Sequence, residues 1–242
     1  MKKVSATLFF TWIFMISVSY SSDLPLVYKV SKLKKSMKID ANWDKAQWKK
    51  VKEIPIVNFM GKLPAFQPVV TAKMMYDTEN IYLIYKVQDR HVRIQNTKFN
   101  GPVSTDACVE FFFSPDSDWP LRYFNVEINA GGTGLMAYHK DGKRTNVTEE
   151  DFNVVEIAHT LPKKLEQEIS EPVTWFLEFK MPISLLAKYG NFTQPKKGVL
   201  WKANFYKTSS RSTNPHYITW NVVQNPVPQF HLPQYFGSLM FN

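Results

Sequence analysis

Three stretches of the chain interleave apolar side chains with side chains that donate or accept hydrogen bonds. Ala107, Val109, Phe111 and Phe113 alternate with Asp106, Cys108, Glu110 and Phe112. Phe124, Val126 and Ile128 alternate with Tyr123, Asn125, Glu127 and Asn129, and Trp201, Ala203 and Phe205 alternate with Lys202, Asn204, Tyr206 and Thr208. A period of two is the signature of a strand, whose successive side chains point to opposite faces of a sheet. Solvated sheet faces normally carry Lys, Glu and Thr. Carboxylates, amides and phenols grouped together suit a ligand with many hydroxyls, because each can donate or accept in a fixed geometry. Sugars have such hydroxyls, and their apolar C–H faces stack on aromatic planes. Glu110 and Glu127 are also the residue types of a glycosidase pair, in which an acid and a base or nucleophile flank one bond at a set separation.

Other chemistries find less support. Gly132-Thr133-Gly134-Leu135-Met136-Ala137 imitates a dinucleotide fingerprint, yet Tyr138, His139, Lys140 and Asp141 follow as strand and turn rather than as the helix that would hold a pyrophosphate. There is no Gly-x-Ser-x-Gly elbow and no His-Glu-x-x-His zinc motif. Cys108 stands alone, which excludes an intrachain disulfide, a cysteine-based zinc site and covalent c-type haem attachment.

The elements that must position these residues are strands. Among 242 residues, 18 Phe, 11 Tyr and 7 Trp against 9 Gly favour strands around an aromatic core. Val69–Tyr76 and Ile81–Val87 flank Asp77, Thr78, Glu79 and Asn80, a hairpin loop composition. Further strands are expected at Ala107–Ser114, Tyr123–Ala130, Leu135–His139, Val154–His159, Val173–Met181, Leu200–Thr208, Tyr217–Val223 and Ser238–Phe241. Short helices are expected at Asp44–Val51 and, with Pro182 at the first position, at Ile183–Tyr189. Many short strands without alternating long helices imply an all-β fold, an antiparallel sandwich or jelly roll, in one domain from residue 20 to residue 242.

Residues 1–19 read as a signal peptide: Lys2 and Lys3 precede an apolar run from Ala6 to Val18, with Ser17 and Ser19 spaced for cleavage. The run is short of the roughly 20 residues that a membrane span needs, so a secreted or periplasmic protein without membrane insertion is expected. The formal charge of +9 is unevenly spread. Nine lysines fall between Lys29 and Lys52 against Asp40 and Asp44, whereas Pro215–Asn242 holds no Asp, Glu, Lys or Arg. A solvated lysine face is one reading and attraction to an acidic polysaccharide another; nucleic acid is not expected as a partner. Asn146 and Asn191 begin Asn-x-Thr sequons.

An ordered series of motifs then resembles family 9 carbohydrate-binding modules. Ile39-Asp40-Ala41-Asn42-Trp43-Asp44 with Trp48, Tyr76-Asp77 with Ile81-Tyr82-Leu83, and Asp106-Ala107-Cys108-Val109-Glu110-Phe111-Phe112 look like the family's opening half. Trp175 with Glu178, Met181-Pro182-Ile183, Trp201 to Lys207, Trp220 and Phe236-Gly237-Ser238-Leu239 look like its second half. The likeness covers about residues 37 to 241 and is strongest to the stand-alone secreted members, β-sandwiches related to DOMON-like folds.

That resemblance implies binding of an oligosaccharide or polysaccharide without chemistry, gripped between two tryptophans, with structural calcium as a possible companion. Glu110 matches the sugar-binding glutamate, Trp220 the later aromatic platform, and Asn125, Asn204 and Tyr206 lie on the matching polar strands. The other clamp tryptophan is missing: Pro102, Val103, Ser104 and Thr105 stand where it belongs, with Phe99 or Trp119 as substitutes. Alternation alone would put Trp220 in the core with Ile218 and Val222. Two alternatives come from other classes, a glycoside hydrolase using Glu110 and Glu127, and a DOMON-like b-type haem protein drawing on Met74, Met75, His139 or His159.

Overall fold

The computed structural model describes residues 25–116 and 118–242. The expected leader, residues 1–19, lies outside them. Fourteen strands are described: β1 (Val27–Lys32), β2 (Ile54–Ile56), β3 (Asn58–Phe59), β4 (Val69–Tyr76), β5 (Asn80–Asp89), β6 (Cys108–Ser114), β7 (Arg122–Asn129), β8 (Gly134–Lys140), β9 (Lys143–Asn146), β10 (Glu156–His159), β11 (Val173–Pro182), β12 (Leu200–Ser209), β13 (His216–Thr219) and β14 (Gly237–Phe241). Three single-turn helices join them, α1 (Ala46–Lys49), α2 (Glu149–Phe152) and α3 (Ser184–Ala187). The all-β sandwich expected from strand spacing is the fold. Pro182 ends β11 instead of opening a helix, pairing with Asn80 at the end of the ladder, where a missing N–H is tolerated.

A front sheet runs β14-β12-β6-β7-β8-β9, with β13 also on β12, and a back sheet runs β10-β11-β5-β4, with β2 also on β4. β1 joins them: Val27–Val30 pair in parallel with β14, and Ser31 and Lys32 in parallel with β4. The apolar faces read from alternation meet between the sheets. Phe111, Phe113, Phe124, Trp201 and Phe205 from the front pack with Met74, Leu83, Tyr85, Trp175 and Leu177 from the back. Phe113 stacks on Phe124 and Trp201 with centroids 5.5 and 5.7 Å apart.

Each outer face carries a cover. On the back sheet, Leu33, Met37, Trp43, Trp48 and Val51 lie on Met75, Tyr82 and Ile84. Glu178 of β11 pins this cover, accepting the N–H groups of Asp40 (2.9 Å) and Ala41 (2.8 Å), Trp48 Nε1 (2.9 Å) and Lys45 Nζ (2.8 Å). The Asp40 to Trp48 motif is therefore an anchoring device. On the front sheet the segment from Asn221 to Phe236 folds over Phe112, Tyr123 and Tyr206. The front polar face is consequently enclosed: Glu110, Asn125, Asn204 and Tyr206 are all buried.

Turn chemistry fixes the register of the hairpins. Asp77 Oδ1 accepts from the N–H groups of Glu79 (2.8 Å) and Asn80 (2.7 Å) between β4 and β5. Asn129 Oδ1 does the same for Gly131 and Thr133 between β7 and β8, so the fingerprint-like glycines form a hairpin turn. Gly132 adopts φ +80°, and a Cβ there would meet the His159 ring at 2.4 Å. The methionines and histidines weighed for haem do not converge. Met74 belongs to the central core and Met75 to the back cluster, His139 binds Asn125 on the front face, and His159 binds the Leu161 carbonyl.

Candidate functional site

The strand registers dictate which polar side chains become neighbours. Glu110 lies opposite Glu127 on β7 and opposite Tyr206 on β12. One step along, Phe112 lies between Asn125 and Asn204. Residues directly opposite on one face have Cβ atoms about 5 Å apart, so the three strands form a single patch. Above it opens a cleft of about 280 Å³. Glu110, Phe112, Glu127 and Thr208 are its floor, Ser104, Ser210 and Tyr217 its wall, and Pro228, Gln229, Phe230 and His231 of the front cover its roof.

Glu110 is the side chain the cleft leaves unfinished. It is 2% exposed and its Oε1 has no hydrogen-bond partner. Burial, and then the facing Glu127, push its pKa well above the usual carboxylate range, with Lys207 behind the sheet pulling the other way. Burial raises Glu127 to about 6, against a hydrogen bond from Asn125. Both carboxyl groups therefore hold their protons more tightly than a solvated carboxyl group does. Asn125 Nδ2 donates to Glu127 Oε1 at 2.9 Å, and Asn125 Oδ1 meets His139 Nε2 at 2.9 Å. His139 stacks on Tyr123 at 4.5 Å, and the Tyr123 hydroxyl bonds His231 Nδ1 at 3.1 Å. Burial holds both histidines down at about 4, His139 further lowered by His231 and both by Arg144, so they are neutral hydrogen-bonding groups at physiological pH.

The five residues singled out from sequence take four different places. Glu110 lines the cleft. Asn125 and Tyr206 stand beside it: Asn125 orients Glu127, and Tyr206 supports the roof, its ring stacked on Phe230 at 4.2 Å and its hydroxyl donating to the Phe230 carbonyl. Asn204 holds the cover, donating to Asn221 O at 3.0 Å and accepting from Asn221 N at 2.8 Å, and it also accepts from its own neighbour Phe205 N at 3.0 Å. Trp220 does not join the patch. It packs into the core edge-on to Phe205 at 5.5 Å, because the alternation that buries Ile218 in β13 continues one residue past the strand's end to Trp220, whose N–H bonds the Phe205 carbonyl. The aromatic side chains of the cleft are Phe230 and Tyr217 instead, with Phe112 beneath.

Ser104 lines the cleft where the clamp tryptophan was expected. Neither substitute replaces it. Phe99 packs on Phe152 at 4.7 Å, and Trp119 donates to the Pro233 carbonyl at 2.6 Å beneath Lys202. The buried acids Glu178 and Asp106 do not resemble calcium ligands, since each is surrounded by N–H donors. Asp106 accepts from Gln95 N, Asn96 N, Asn129 Nδ2 and Arg93. Among the described residues no group of three or more His, Cys, Asp or Glu side chains is arranged to hold a metal ion.

Residues 27–241 match the family model described as carbohydrate-binding family 9. No curated protein matches the chain. Among solved structures, a candidate carbohydrate-binding protein from Bacteroides uniformis is 26% identical, with a TM-score of 0.81 over 90% of this chain and 100% of that one. A family 9 module from Caldicellulosiruptor kristjanssonii in complex with cellotriose is 16% identical, with a TM-score of 0.61 over 89% and 93%. A family 9 module of the same organism in complex with glucose is 15% identical, with a TM-score of 0.58 over 90% and 96%. The last two show a shared fold.

Proposed function

We propose that this chain, which belongs to carbohydrate-binding family 9, captures an oligosaccharide end in the front-sheet cleft without performing chemistry on it. The observation that carries the reading is the orphaned Glu110 Oε1 in the floor of an aromatic-roofed cleft. A buried oxygen without a partner costs about 1–3 kcal/mol, and a ligand hydroxyl entering the cleft recovers that cost. Phe230 and Tyr217 supply apolar surface for a sugar ring, and Glu127, Gln229 and Ser210 supply further polar partners. Asn125, Asn204 and Tyr206 act as positioning residues. Trp220 serves the fold.

Binding rather than hydrolysis follows from where the carboxyl groups stand. A glycosidase pair flanks the scissile bond from two sides, whereas Glu110 and Glu127 are cross-strand neighbours on one floor, with Asn125 tying Glu127 down. The charged start and short apolar run of residues 1–19 support export, with a mature N-terminus between Tyr20 and Asp23. Intact mass of the exported protein checks this, and a retained leader counts against it. No helix among the described residues is long and apolar enough to cross a membrane.

The test of the cleft is isothermal titration against an oligosaccharide panel including cellotriose and glucose. Glu110→Ala leaves ligand hydroxyls unpaired and is expected to weaken binding by roughly five- to a hundredfold, the equivalent of about 1–3 kcal/mol. Phe230→Ala, which removes the stacking surface, weakens it comparably. Undiminished affinity in both variants, with the fold retained, would place the site elsewhere.

A further inference from the structure

The back of the sandwich carries an unbalanced surface. The chain from Lys29 to Lys52 holds nine lysines and two carboxylates, Asp40 and Asp44. Its apolar side chains turn inward onto the back sheet, and eight of the nine lysines, all but Lys45, are exposed. Lys45 is consumed by Glu178 at 2.8 Å and Asp40 at 2.7 Å. Just beyond the strip, Glu53 is paired with Lys73 at 3.7 Å. Asp40 and Glu53 are thus engaged with other cations, and none of the eight exposed lysines forms an ion pair among the described residues. Like charges held unpaired on one face repel one another, and a polyanion laid across them relieves that repulsion.

We propose that this lysine strip is a second binding surface, for an anionic polysaccharide, working independently of the cleft on the opposite sheet. The surface chemistry selects among polyanions. No large apolar side chain is exposed between Lys29 and Lys52, so the strip lacks the apolar anchors with which peripheral proteins enter a bilayer. Trp43 and Trp48 are buried, so it offers no aromatic platforms for unpaired bases. A flexible polymer with carboxylate or sulfate groups at intervals needs only ammonium groups at intervals, which the strip provides.

The experiment titrates the mature protein with polygalacturonate at about 50 and about 300 mM NaCl, beside duplex DNA and phosphatidylserine vesicles. The expected result is binding at low salt that weakens at least about tenfold at the higher salt, where charges are screened beyond a few ångströms. Reversal at Lys34, Lys35, Lys49 and Lys50 to Glu weakens it at least about tenfold. The charge-matched control with Lys98, Lys140, Lys143 and Lys163 changed to Glu loses less than about threefold. A Lys→Gln version of the first variant, with an unchanged melting temperature, gives the same order and separates lost charge from lost fold. The proposal is overturned by absence of low-salt binding, by equal loss in the two charge-reversed variants, or by binding of DNA or vesicles as tight as that of polygalacturonate.

Discussion

Two carboxyl groups facing each other in an enclosed cleft leave a trace in the pH dependence of stability. A carboxyl group whose pKa is raised by folding binds its proton more tightly when folded. Its favourable contribution is full below the unfolded value near 4.5 and is lost as pH rises through the folded value. Glu127 loses it as pH rises through about 6, and Glu110, raised well above the usual carboxylate range, loses it in the same direction. Buried histidines act in the opposite sense. His139 and His231, held down at about 4, contribute stability above roughly pH 6.5 that is lost as pH falls towards 4. Comparing Glu110→Gln with wild type isolates the carboxyl effect, since both proteins share the histidines. The melting temperatures are expected to coincide near pH 5, and the variant is expected to be higher at pH 8 by a few degrees, at about 2–4 °C per kcal/mol for a chain of this size. The same margin at both values would mean that folding does not raise the Glu110 pKa. Gln keeps a donor and an acceptor where neutral Glu110 has them, so it should bind ligand better than Glu110→Ala does.

At the scale of elements, alternation along β6, β7 and β12 identified the polar face and its residues, because each strand has one face committed to the core. It did not reveal that the face is roofed. The segment from Asn221 to Phe236 has no period of its own: Val223, Phe230 and Phe236 reach the sheet at irregular intervals. Its signal was compositional, the absence of any charged residue from Pro215 to Asn242, which suits a segment packed against a sheet more than a free loop. Trp220 shows the converse case. The period of two placed it in the core, family resemblance made it a platform, and its contacts are those the period implied. Loss of a buried tryptophan costs about 3–5 kcal/mol, so Trp220→Ala should lower the unfolding free energy by that amount in urea titration. A variant as stable as wild type would contradict the core assignment. Asn204→Ala removes the two hydrogen bonds to Asn221 that seat the cover. Hydrogen exchange should accelerate from Asn221 to Phe236 while the amides of β6 stay protected, and ligand affinity should fall although Asn204 does not line the cleft. Unchanged exchange in the cover would show that Phe230 is seated by other contacts.

At the scale of the whole molecule, the arrangement makes one cooperative unit out of two sheets. β1 is hydrogen-bonded to β14 at one end and to β4 at the other, so neither sheet is complete without it. The core between the sheets is continuous from Trp201 to Trp175. A buried ion pair adds a polar tie across the layers: Lys207 Nζ, from the inner face of β12, lies 3.1 Å from Asp89 Oδ2 at the end of β5 and 2.6 Å from His216 Nε2. Removing either partner would leave the other charge buried and uncompensated, which typically costs about 3–5 kcal/mol. Calorimetry of the mature protein is therefore expected to show one transition, with calorimetric and van't Hoff enthalpies in agreement. Saturating saccharide in the cleft should move that whole transition. At a hundred times Kd the linkage is about 2.7 kcal/mol, which at about 2–4 °C per kcal/mol corresponds to a rise of roughly 5–10 °C. Amides of β4 and β5, on the sheet that does not contact the ligand, should gain as much protection from exchange as those of β6 and β12. Two resolved transitions, or protection confined to the front sheet, would mean that the sheets unfold separately and that β1 does not couple them.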